Sequence, residues 1–255
     1  MTKLQVIKVG GAVVEDAAAV GAFLDGFAAL EGPKVLVHGG GRSATALAAQ
    51  LGVPTVMVGG RRVTDAAMLR IVTMVYAGEV NKTLVAALQG RGVNALGLCG
   101  ADLGWMRSTR RPAGEVDYGF VGDVCRVDTT VLVDLIARGV VPVLAPLTHD
   151  GQGQLLNTNA DSIASEAAKA FARDFDVTLT FCFEHPGVLR DPADAGSVIP
   201  RITRDDYRKY LDQGVISGGM IPKLDNAYAA IDAGVSRVVI TRWDALQPGQ
   251  GTLIQ

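Results

Sequence analysis

The sequence predicts an α/β fold in which a mainly parallel sheet carries helices on both faces. Short β-branched runs alternate with alanine- and leucine-rich segments of helical period, which is the pattern of successive βαβ units. The runs VLVH and VVPVLAP are almost continuously apolar, as expected of strands that are buried on both faces. A chain of 255 residues is long enough for one large core or two smaller lobes.

The individual elements follow in chain order. The strands are predicted over 4–9, 34–38, 94–98, 140–144, 177–183 and 237–241. The helices are predicted over 16–30, 44–51, 65–88, 129–137, 161–172, 204–213 and 221–233. Two turn-rich segments, 53–63 and 105–124, interrupt the alternation and are predicted to form hairpins beyond the sheet. A faint change in composition near residue 175 indicates an N-terminal lobe, 1–174, and a C-terminal lobe, 175–255.

The composition excludes several classes of protein. Lys and Arg total 24 against 26 Asp and Glu, so the net charge is −2, whereas binders of nucleic acid or anionic membranes normally carry a net basic face. An apolar fraction of 49% excludes intrinsic disorder. The cysteines match no zinc spacing, and the sequence shows neither a signal peptide nor an uninterrupted apolar span. We therefore expect a cytoplasmic protein.

Two glycine clusters follow strands and precede helices. Gly10 and Gly11 end the first strand, shortly after Lys8, and Gly39–Gly41 ends the second. In an open α/β sheet, ligands bind beyond the carboxyl ends of the strands, near helix N-termini. Glycine lets backbone N–H groups approach a ligand closely, and the helix dipole favours an anion there. The two clusters therefore predict an anion site at one edge of the sheet.

These glycines leave a dinucleotide-dependent oxidoreductase open as an alternative. The sequence has no P-loop, but Gly39, Gly41 and Ala44 give a partial dinucleotide fingerprint. The acidic residue that should bind the ribose about 20 residues later is missing, because no Asp or Glu precedes Asp65 in that region. This alternative also gives no role to the polar residues that follow.

Charged and polar side chains occur at further places where an anion could be bound. Lys8 lies at the end of a buried strand, where an unpaired ammonium group would be costly. Arg62 can make bidentate contacts to a carboxylate or a phosphate. The segment 157–161, NTNAD, opens a helix with more polar side chains than capping requires. Lys223 follows Gly219 in the first helical turn, where a cation is unfavourable because it opposes the helix dipole. A phosphate bound nearby would compensate for this repulsion.

In their order along the chain, these motifs resemble the amino acid kinase family. They are KVGG at 8–11, HGGG at 38–41, GRRVT at 60–64, NTNAD at 157–161 and GGMIPK at 218–223. Each motif alone is weak, but all five in order, over nearly the whole chain, form a specific match. The resemblance implies a three-layer αβα sandwich of the carbamate kinase-like type. It also implies an acylated amino acid in the N-terminal lobe, and ATP with Mg²⁺ in the C-terminal lobe.

The resemblance implies a role for individual residues as well. Lys8 and Lys223 are similar to the lysines that stabilise the transferring phosphoryl group, and Asp161 to the aspartate that organises them. Arg62 resembles the clamp on the substrate α-carboxylate, and the other expected substrate-binding residues are Gly40, Gly41 and Asn157. The expected nucleotide- and phosphate-binding residues are Gly10, Gly11, Glu184 and Gly219. No residue is expected to bind a resident metal, since the nucleotide carries the Mg²⁺.

Within the family, the order and spacing resemble enzymes that phosphorylate an N-acylated glutamate. The implied reaction converts N-acetyl-L-glutamate and ATP to N-acetylglutamyl 5-phosphate and ADP, a step of arginine biosynthesis. The γ-carboxylate is already ionised at neutral pH, so no general base is needed. Because the chain begins at its first strand, the resemblance also implies an arginine-insensitive homodimer. From the balanced charge and the lack of an apolar span we expect no nucleic-acid or membrane partner.

Two departures from the family pattern keep alternatives open. Phe183 and Glu184 stand where family members usually have Thr or Ser followed by Asp, so the nucleotide contact of Glu184 is left open. The basic run Arg107, Arg110 and Arg111 would suit a second carboxylate, which makes N-succinyl-L-glutamate an alternative acceptor. Other family members act on aspartate, glutamate, carbamate or UMP. A non-catalytic protein of this fold that binds an anion or nucleotide is a further alternative.

Overall fold

The computed structural model describes residues 1–218, 220–247 and 249–255, apart from the side chain of Pro222. Its strands are β1 (Lys3–Val9), β2 (Lys34–His38), β3 (Met57–Val58), β4 (Arg61–Arg62), β5 (Ala95–Leu98), β6 (Met106–Arg110), β7 (Gly122–Val127), β8 (Val141–Leu144), β9 (Leu147–His149), β10 (Leu155–Asn157), β11 (Asp176–Phe183), β12 (Arg201–Ile202), β13 (Arg237–Arg242) and β14 (Thr252–Ile254). Its helices are α1 (Gly11–Glu15), α2 (Ala17–Ala29), α3 (Gly41–Gln50), α4 (Ala66–Val72), α5 (Asn81–Gln89), α6 (Thr130–Ala137), α7 (Ala160–Phe171), α8 (Arg204–Asp212) and α9 (Met220–Asp232). A π-helical stretch, Thr73–Val80, joins α4 to α5, and a 3₁₀ turn spans Asp102–Gly104.

The central element is an eight-stranded sheet in the order β12-β14-β13-β11-β1-β2-β8-β5. The strands predicted from apolar runs are β1, β2, β5, β8, β11 and β13, and they pair in parallel. β14 returns antiparallel beside β13 and places β12 at the edge. The predicted mainly parallel sheet is therefore confirmed. β12 and β14, with two and three residues, are too short to give a periodic signal in the sequence.

Helices cover both faces of the central sheet, which gives the three layers. On one face, α7 packs against the sheet and contributes Phe171 to the core. On the other face, α2 and α5 contribute Phe27 and Leu84 to a second core. Successive side chains of a strand point to opposite faces, and Val6 and Ile7 of β1 accordingly lie in different cores.

Both predicted hairpins are present beyond the central sheet. β3 and β4 pair antiparallel within 53–63, and β6 and β7 do so around 105–124. β6 and β7 belong to a second, four-stranded sheet with β9 and β10, which no pattern in the sequence predicts. This second sheet carries Asn157 at the end of β10.

The helix predicted over 65–88 has the expected extent but is not α-helical throughout. The helical run extends from Ala66 to Gln89, and its middle third is π-helical. By length and composition alone this run could cross a membrane, and 44% of its most apolar window is buried inside the protein. Its side chains Met68, Ile71 and Leu84 lie in the core, and a core helix passes the same test.

Both predicted lobes contribute strands to one sheet. β1 pairs with β11 along its whole length, from Lys3 opposite Asp176 to Val9 opposite Cys182. The predicted division between residues 174 and 175 falls in the connection between α7 and β11. It remains a prediction about how binding is shared between the two halves.

Candidate active site

Three turns leave the central sheet at the same edge. In the parallel register, Val9 pairs with His38 of β2 on one side and with the end of β11 on the other. Gly10-Gly11 follows β1, Gly39–Gly41 follows β2 and Glu184 follows β11. This is the edge at which the glycine clusters predict an anion site.

The two glycine turns contact each other. A Cβ atom on Gly11 would lie 3.3 Å from the backbone nitrogens of both Gly40 and Gly41, and one on Gly39 would lie 2.9 Å from the nitrogen of Gly11. Side chains at these positions would force the turns apart. α3 begins at Gly41 rather than at the predicted residue 44, so the second turn itself forms the N-terminus of that helix. The N–H groups at a helix N-terminus favour a bound anion.

Lys8 is buried at this edge and is paired with Asp161. Its Nζ lies 2.8 Å from Oδ1 of Asp161, and 10% of the lysine side chain is exposed. Asp161 is in the first turn of α7, where the side chain of Asn159 caps the helix by accepting a hydrogen bond from the N–H of Asp161. Capping therefore accounts for Asn159, and the ion pair accounts for Asp161.

Lys223 comes from the second half of the chain and approaches Lys8 at the ring of Phe183. The Nζ atoms of Lys223 and Lys8 lie 3.7 Å and 5.6 Å from the centroid of that ring. The face of an aromatic ring stabilises a cation, so Phe183 favours both ammonium groups at this place. Burial lowers the pKa of Lys223, the charge of Asp161 raises it and the charge of Lys8 lowers it. The structure thus brings the three predicted catalytic residues together.

A cavity of about 400 Å³ opens beside these groups. Its walls include all residues predicted to bind the acceptor together with the first lysine and its partner: Gly40, Gly41, Arg62, Asn157, Lys8 and Asp161. This volume is typical of a site for a small molecule. Because the walls carry charges of both signs, the cavity suits a small charged ligand.

Arg62 is fixed in the wall of this cavity. It is 8% exposed, and its Nη2 donates to the carbonyl oxygen of Gly41 at 2.7 Å and to Oγ1 of Thr45 at 2.8 Å. Its Nη1 makes longer contacts, 3.4 Å to Oγ1 of Thr55 and 3.9 Å to Sδ of Met68. One nitrogen therefore holds the glycine turn, while the other is weakly held and can turn to a carboxylate.

Asn157 is positioned by a residue that the sequence does not single out. Its Nδ2 donates to Oγ1 of Thr64 at 2.9 Å, and that hydroxyl donates to the carbonyl oxygen of Arg62 at 3.1 Å. The backbone N–H of Asn157 donates to Phe120 at 2.8 Å. These bonds tie the GRRVT and NTNAD motifs to each other, so Thr64 joins the site through tertiary contacts.

A second cavity, of about 780 Å³, shares part of its wall with the first. It is lined by the described members of the predicted nucleotide-binding set and by the second lysine: Gly10, Gly11, Glu184 and Lys223. Gly41 and Arg62 line both cavities. Gly219, which was assigned to the same set, lies outside the described residues.

Glu184 reaches back toward the second glycine turn. Its Oε1 lies 3.6 Å from Nη2 of Arg42, the second residue of α3, and the two side chains are 65% and 69% exposed. Exposed ion pairs add little to stability. The pair therefore places Glu184 beside the glycine turn without holding the two halves of the chain together, and its contact with a nucleotide remains a prediction.

One arginine of the basic run reaches the acceptor cavity. Arg111 lines that cavity, whereas Arg107 and Arg110 are not among its described walls. Arg111 donates from Nε to Oδ2 of Asp123 at 3.0 Å and from Nη2 to the other carboxylate oxygen. These hydrogen bonds raise the pKa of Arg111 and lower the pKa of Asp123. The charge of Arg111 is thus balanced by Asp123.

Tyr76 is a further wall residue that the sequence gives no reason to expect. It lies in the π-helical stretch and is 5% exposed. A Cβ atom on Gly40 would lie 2.9 Å from Cδ1 of its ring. Burial raises the pKa of the Tyr76 hydroxyl, and the nearby Arg62 lowers it. The residues around Tyr76 have the pattern of an ordinary apolar helix, so the sequence does not indicate this role.

Comparison with known proteins agrees with this geometry. The profile of the amino acid kinase family matches residues 3–242. A protein of Bacteroides fragilis named acetylglutamate kinase is 63% identical over 253 residues, which cover 99% of this chain and 97% of that protein. One of Parabacteroides distasonis with the same name is 62% identical over 254 residues, covering 100% of each. A crystal structure from Streptococcus mutans, 30% identical, aligns with a TM-score of 0.77 over 99% of this chain and 98% of that one. The chain therefore belongs to the amino acid kinase family.

Proposed function

We propose that this chain transfers the γ-phosphoryl group of ATP to the γ-carboxylate of N-acetyl-L-glutamate, giving N-acetylglutamyl 5-phosphate and ADP in arginine biosynthesis. Relatives that are 60% to 63% identical over nearly the full chain carry the name acetylglutamate kinase. One observation carries the proposal. Lys8, which lines the first cavity, and Lys223, which lines the second, meet at Phe183.

The acceptor occupies the smaller cavity in this proposal. Arg62 binds the α-carboxylate through Nη1, the nitrogen with the longer contacts, while Nη2 keeps its hydrogen bond to the carbonyl oxygen of Gly41. Asn157 binds the acylamino group, because its amide can both donate and accept hydrogen bonds. Gly40 and Gly41 line the same cavity and contribute backbone N–H groups. The γ-carboxylate then faces Lys8.

ATP occupies the larger cavity, with its phosphates toward the glycine turns. Gly10 and Gly11 contribute backbone N–H groups, and Lys223 contributes its ammonium group. Glu184 contacts the nucleoside part. This arrangement places the γ-phosphoryl group where the two cavities meet, between the two lysines.

The reaction then needs positioning and charge neutralisation rather than acid–base chemistry. A γ-carboxylate oxygen attacks the γ-phosphorus, the bond from that phosphorus to the β–γ bridging oxygen breaks, and ADP leaves with the electron pair. No proton moves, because the acceptor carboxylate is already ionised at neutral pH. Two anions must meet in line, so the cations of Lys8 and Lys223 lower the barrier most where charge spreads over the transferred group.

Mg²⁺ would be held by the phosphate oxygens of ATP rather than by side chains of this chain. Within the described part of the chain, no three His, Cys, Asp or Glu side chains come together to hold a metal ion. Asp161, the acidic group beside the reacting atoms, is occupied by Lys8. The donors present therefore fit a cation held by phosphate oxygens, where it neutralises charge on the transferring group.

The wall of the cavity favours an acetyl over a succinyl group on the acceptor. Arg111 is the member of the basic run that lines the cavity, and Asp123 already pairs with it through two hydrogen bonds. A succinyl carboxylate would have to displace Asp123 to reach that guanidinium group. An acetyl group has no carboxylate, so it leaves the pair of Arg111 and Asp123 intact.

The proposal extends to the organisation of the protein. The described residues that line the acceptor cavity all precede residue 175, which supports assigning acceptor binding to 1–174. Phe183, Glu184 and Lys223 come from 175–255 and line the other cavity together with residues of 1–174 such as Gly10 and Gly11, so in this proposal the C-terminal half supplies part of the ATP site. We further propose a cytoplasmic homodimer, and light scattering on the purified protein would measure its mass.

Trapping of the acyl phosphate as a hydroxamate tests the proposed function. The enzyme is incubated with MgATP and, in parallel, with N-acetyl-L-glutamate, N-succinyl-L-glutamate, aspartate, carbamate or UMP, and ADP release is measured in every reaction. We expect hydroxamate and ADP in equal amounts with N-acetyl-L-glutamate, and a lower kcat/KM with every other acceptor. ADP release that prefers another acceptor, or no turnover with any, would contradict the proposal.

A further inference from the structure

His38 is a wholly buried polar side chain next to the second glycine turn. It is the last residue of β2, it is 0% exposed, and Gly39 follows it directly. Its Nδ1 lies 2.7 Å from the carbonyl oxygen of Gly39. A buried imidazole that contacts the backbone of a ligand-binding turn can fix the direction of that turn.

The hydrogen bonds around His38 define its tautomer. The carbonyl oxygen of Gly39 can only accept, so Nδ1 must carry the hydrogen. Nε2 is then an acceptor, and it lies 3.1 Å from Nδ2 of Asn81. That amide donates its second hydrogen to the carbonyl oxygen of Val143 at 2.9 Å, and its Oδ1 accepts from Nζ of Lys82 at 3.1 Å. Every polar atom in this network has a partner of the right kind.

Neither a flipped Asn81 amide nor a protonated His38 ring could keep these hydrogen bonds. If Asn81 were flipped, its oxygen would face the carbonyl oxygen of Val143 and its nitrogen would face the ammonium group of Lys82. If His38 were protonated, Nε2–H would face the Asn81 amide hydrogens. The pKa of His38 is lowered to about 4, because burial and, to a smaller extent, the charge of Lys82 lower it more than the contact with Gly39 raises it. The imidazole is therefore neutral across the neutral pH range.

Two features of the fold bring Asn81 to His38. Asn81 directly follows the π-helical stretch, from which Tyr76 and Val80 pack on Gly40. A Cβ atom on Gly97 of β5 would lie 1.9 Å from Oδ1 of Asn81, so a glycine is required for the amide to fit there. π-Helical turns occur often at functional sites, and here the stretch places Tyr76 and Val80 against Gly40 and the residue after it, Asn81, against His38.

We propose that Asn81 is a positioning residue for phosphoryl transfer, because it holds His38 in the tautomer that fixes the carbonyl oxygen of Gly39. Gly40 and Gly41 follow Gly39 and line the acceptor cavity, so a peptide fixed at Gly39 aims the backbone that follows it. Gly39 also touches Gly11 of the other turn. Asn81 itself does not line either cavity among the described walls. This inference rests on the proposed function.

The tautomer can be measured without any activity assay. The chain contains three histidines, so long-range ¹⁵N–¹H spectra resolve each ring, and the His38→Asn variant identifies its signals. We expect a neutral ring protonated at Nδ1 that does not titrate between pH 5.5 and 8. In Asn81→Ala, we expect the ring to titrate or to populate the other tautomer. A wild-type ring protonated at Nε2, or one titrating near 6.5, would overturn the proposal.

Kinetics of Asn81 variants test the consequence for catalysis. Asn81→Ala should lower kcat about 10- to 100-fold, the cost expected from a small misplacement of reacting groups, while KM for ATP stays within about twofold. In Asn81→Asp the carboxylate accepts a hydrogen bond from Nε2–H, which favours a hydrogen on Nε2. The contact of Nδ1–H with Gly39 therefore survives in the doubly protonated ring and is lost when the ring becomes neutral. The kcat of this variant, divided by the wild-type kcat at the same pH, should therefore fall as pH rises from 5.5 to 8.5. Lys82 is the charged neighbour that acts on this ring.

Two further variants separate positioning from folding. Gly97→Ala should displace Asn81 and lower kcat, although Gly97 lies on β5, beyond β8 from β2, and is not among the described walls of either cavity. Leu84→Ala removes a buried side chain from the same helix as Asn81, and it should lower stability while kcat per folded molecule stays within about twofold. If both variants lose kcat only in proportion to their folded fraction, the proposal is wrong. If the wild type forms no acyl phosphate, the proposed function is wrong, and the ring spectra still report on Asn81.

Discussion

Nζ of Lys8 and Oδ1 of Asp161 lie 2.8 Å apart, although β1 and α7, which carry them, are separated by more than half of the chain. An unpaired ammonium group at the end of a buried strand would be costly, and the aspartate offsets part of that cost. The pair also restricts the lysine to one direction, toward the acceptor cavity that both residues line. One contact thus makes the buried lysine stable and oriented.

Loss of the Lys8 charge should lower the chemical rate. We expect Lys8→Ala to reduce kcat about 10²- to 10³-fold, as for the loss of one preorganised group that stabilises a transition state. Lys3 lies on the same strand and is exposed, so Lys3→Ala is the matched control and should keep wild-type kcat. Steady-state kinetics with N-acetyl-L-glutamate gives both values. A Lys8→Ala enzyme with normal kcat would remove this residue from the mechanism.

The lowered pKa of Lys223 should appear in the pH dependence of the reaction. Burial holds it below the ordinary value of 10.5, so the proton is lost, and with it the stabilising charge, as pH rises through the lowered value. We expect kcat to decline on the alkaline side. In Lys223→Arg the group stays charged, so the residual activity should persist to higher pH. The same alkaline decline in both proteins would show that another group causes it.

The fold could be predicted because buried parallel strands leave a strong local signal. β2 has the predicted bounds, 34–38, since all its residues are buried. β10, with three residues, and the π-helical character of Thr73–Val80 give no such signal. Whether a helix widens into a π turn depends on what packs against it, and that information lies elsewhere in the chain.

The site residues also divide into those with a local sequence signal and those that depend on tertiary contacts. Gly10, Gly11 and Gly39–Gly41 could be predicted, since a glycine cluster between a strand and a helix is a local pattern. Thr64 could not be predicted, because its role is to accept a hydrogen bond from Nδ2 of Asn157, which lies far away in the sequence. Tyr76 has its role through a contact with the second glycine turn. Residues that support others through tertiary contacts leave no motif behind.

Replacement of Arg62 should weaken binding of the acceptor more than it slows the reaction. The α-carboxylate does not change during transfer, so its clamp contributes mainly to binding, and Arg62→Ala should raise KM for N-acetyl-L-glutamate. A smaller loss of kcat should accompany it, because Nη2 of Arg62 also holds the carbonyl oxygen of Gly41 at 2.7 Å. Arg70→Ala, at an exposed position of α4, is the control. An unchanged KM for the acceptor would contradict the clamp role.

Burial of His38 should make stability depend on pH. Its pKa is about 4 in the folded protein and 6.5 ordinarily, so the unfolded chain binds the proton more readily between these values. The contribution is complete above pH 6.5 and is lost as pH falls toward 4, and it amounts to about 3 kcal/mol. Urea unfolding of the wild type and His38→Asn at several pH values tests this. The wild type should lose more stability than the variant over that window, and parallel losses would contradict a neutral buried His38.

Addition of one methyl group at Gly40 should damage the acceptor site. The new Cβ atom would lie 2.9 Å and 3.1 Å from two ring atoms of Tyr76 and 3.5 Å from Cγ2 of Val80. The turn or the tyrosine must move, and both line the cavity, so Gly40→Ala should raise KM for the acceptor and lower kcat. Gly21 in α2 has open space around its Cβ position. Gly21→Ala should keep full activity and add about 0.5–1 kcal/mol of stability, because alanine favours the helix. Equal activity of the two variants would mean that the turn tolerates a side chain and that close packing at Gly40 is not needed for catalysis.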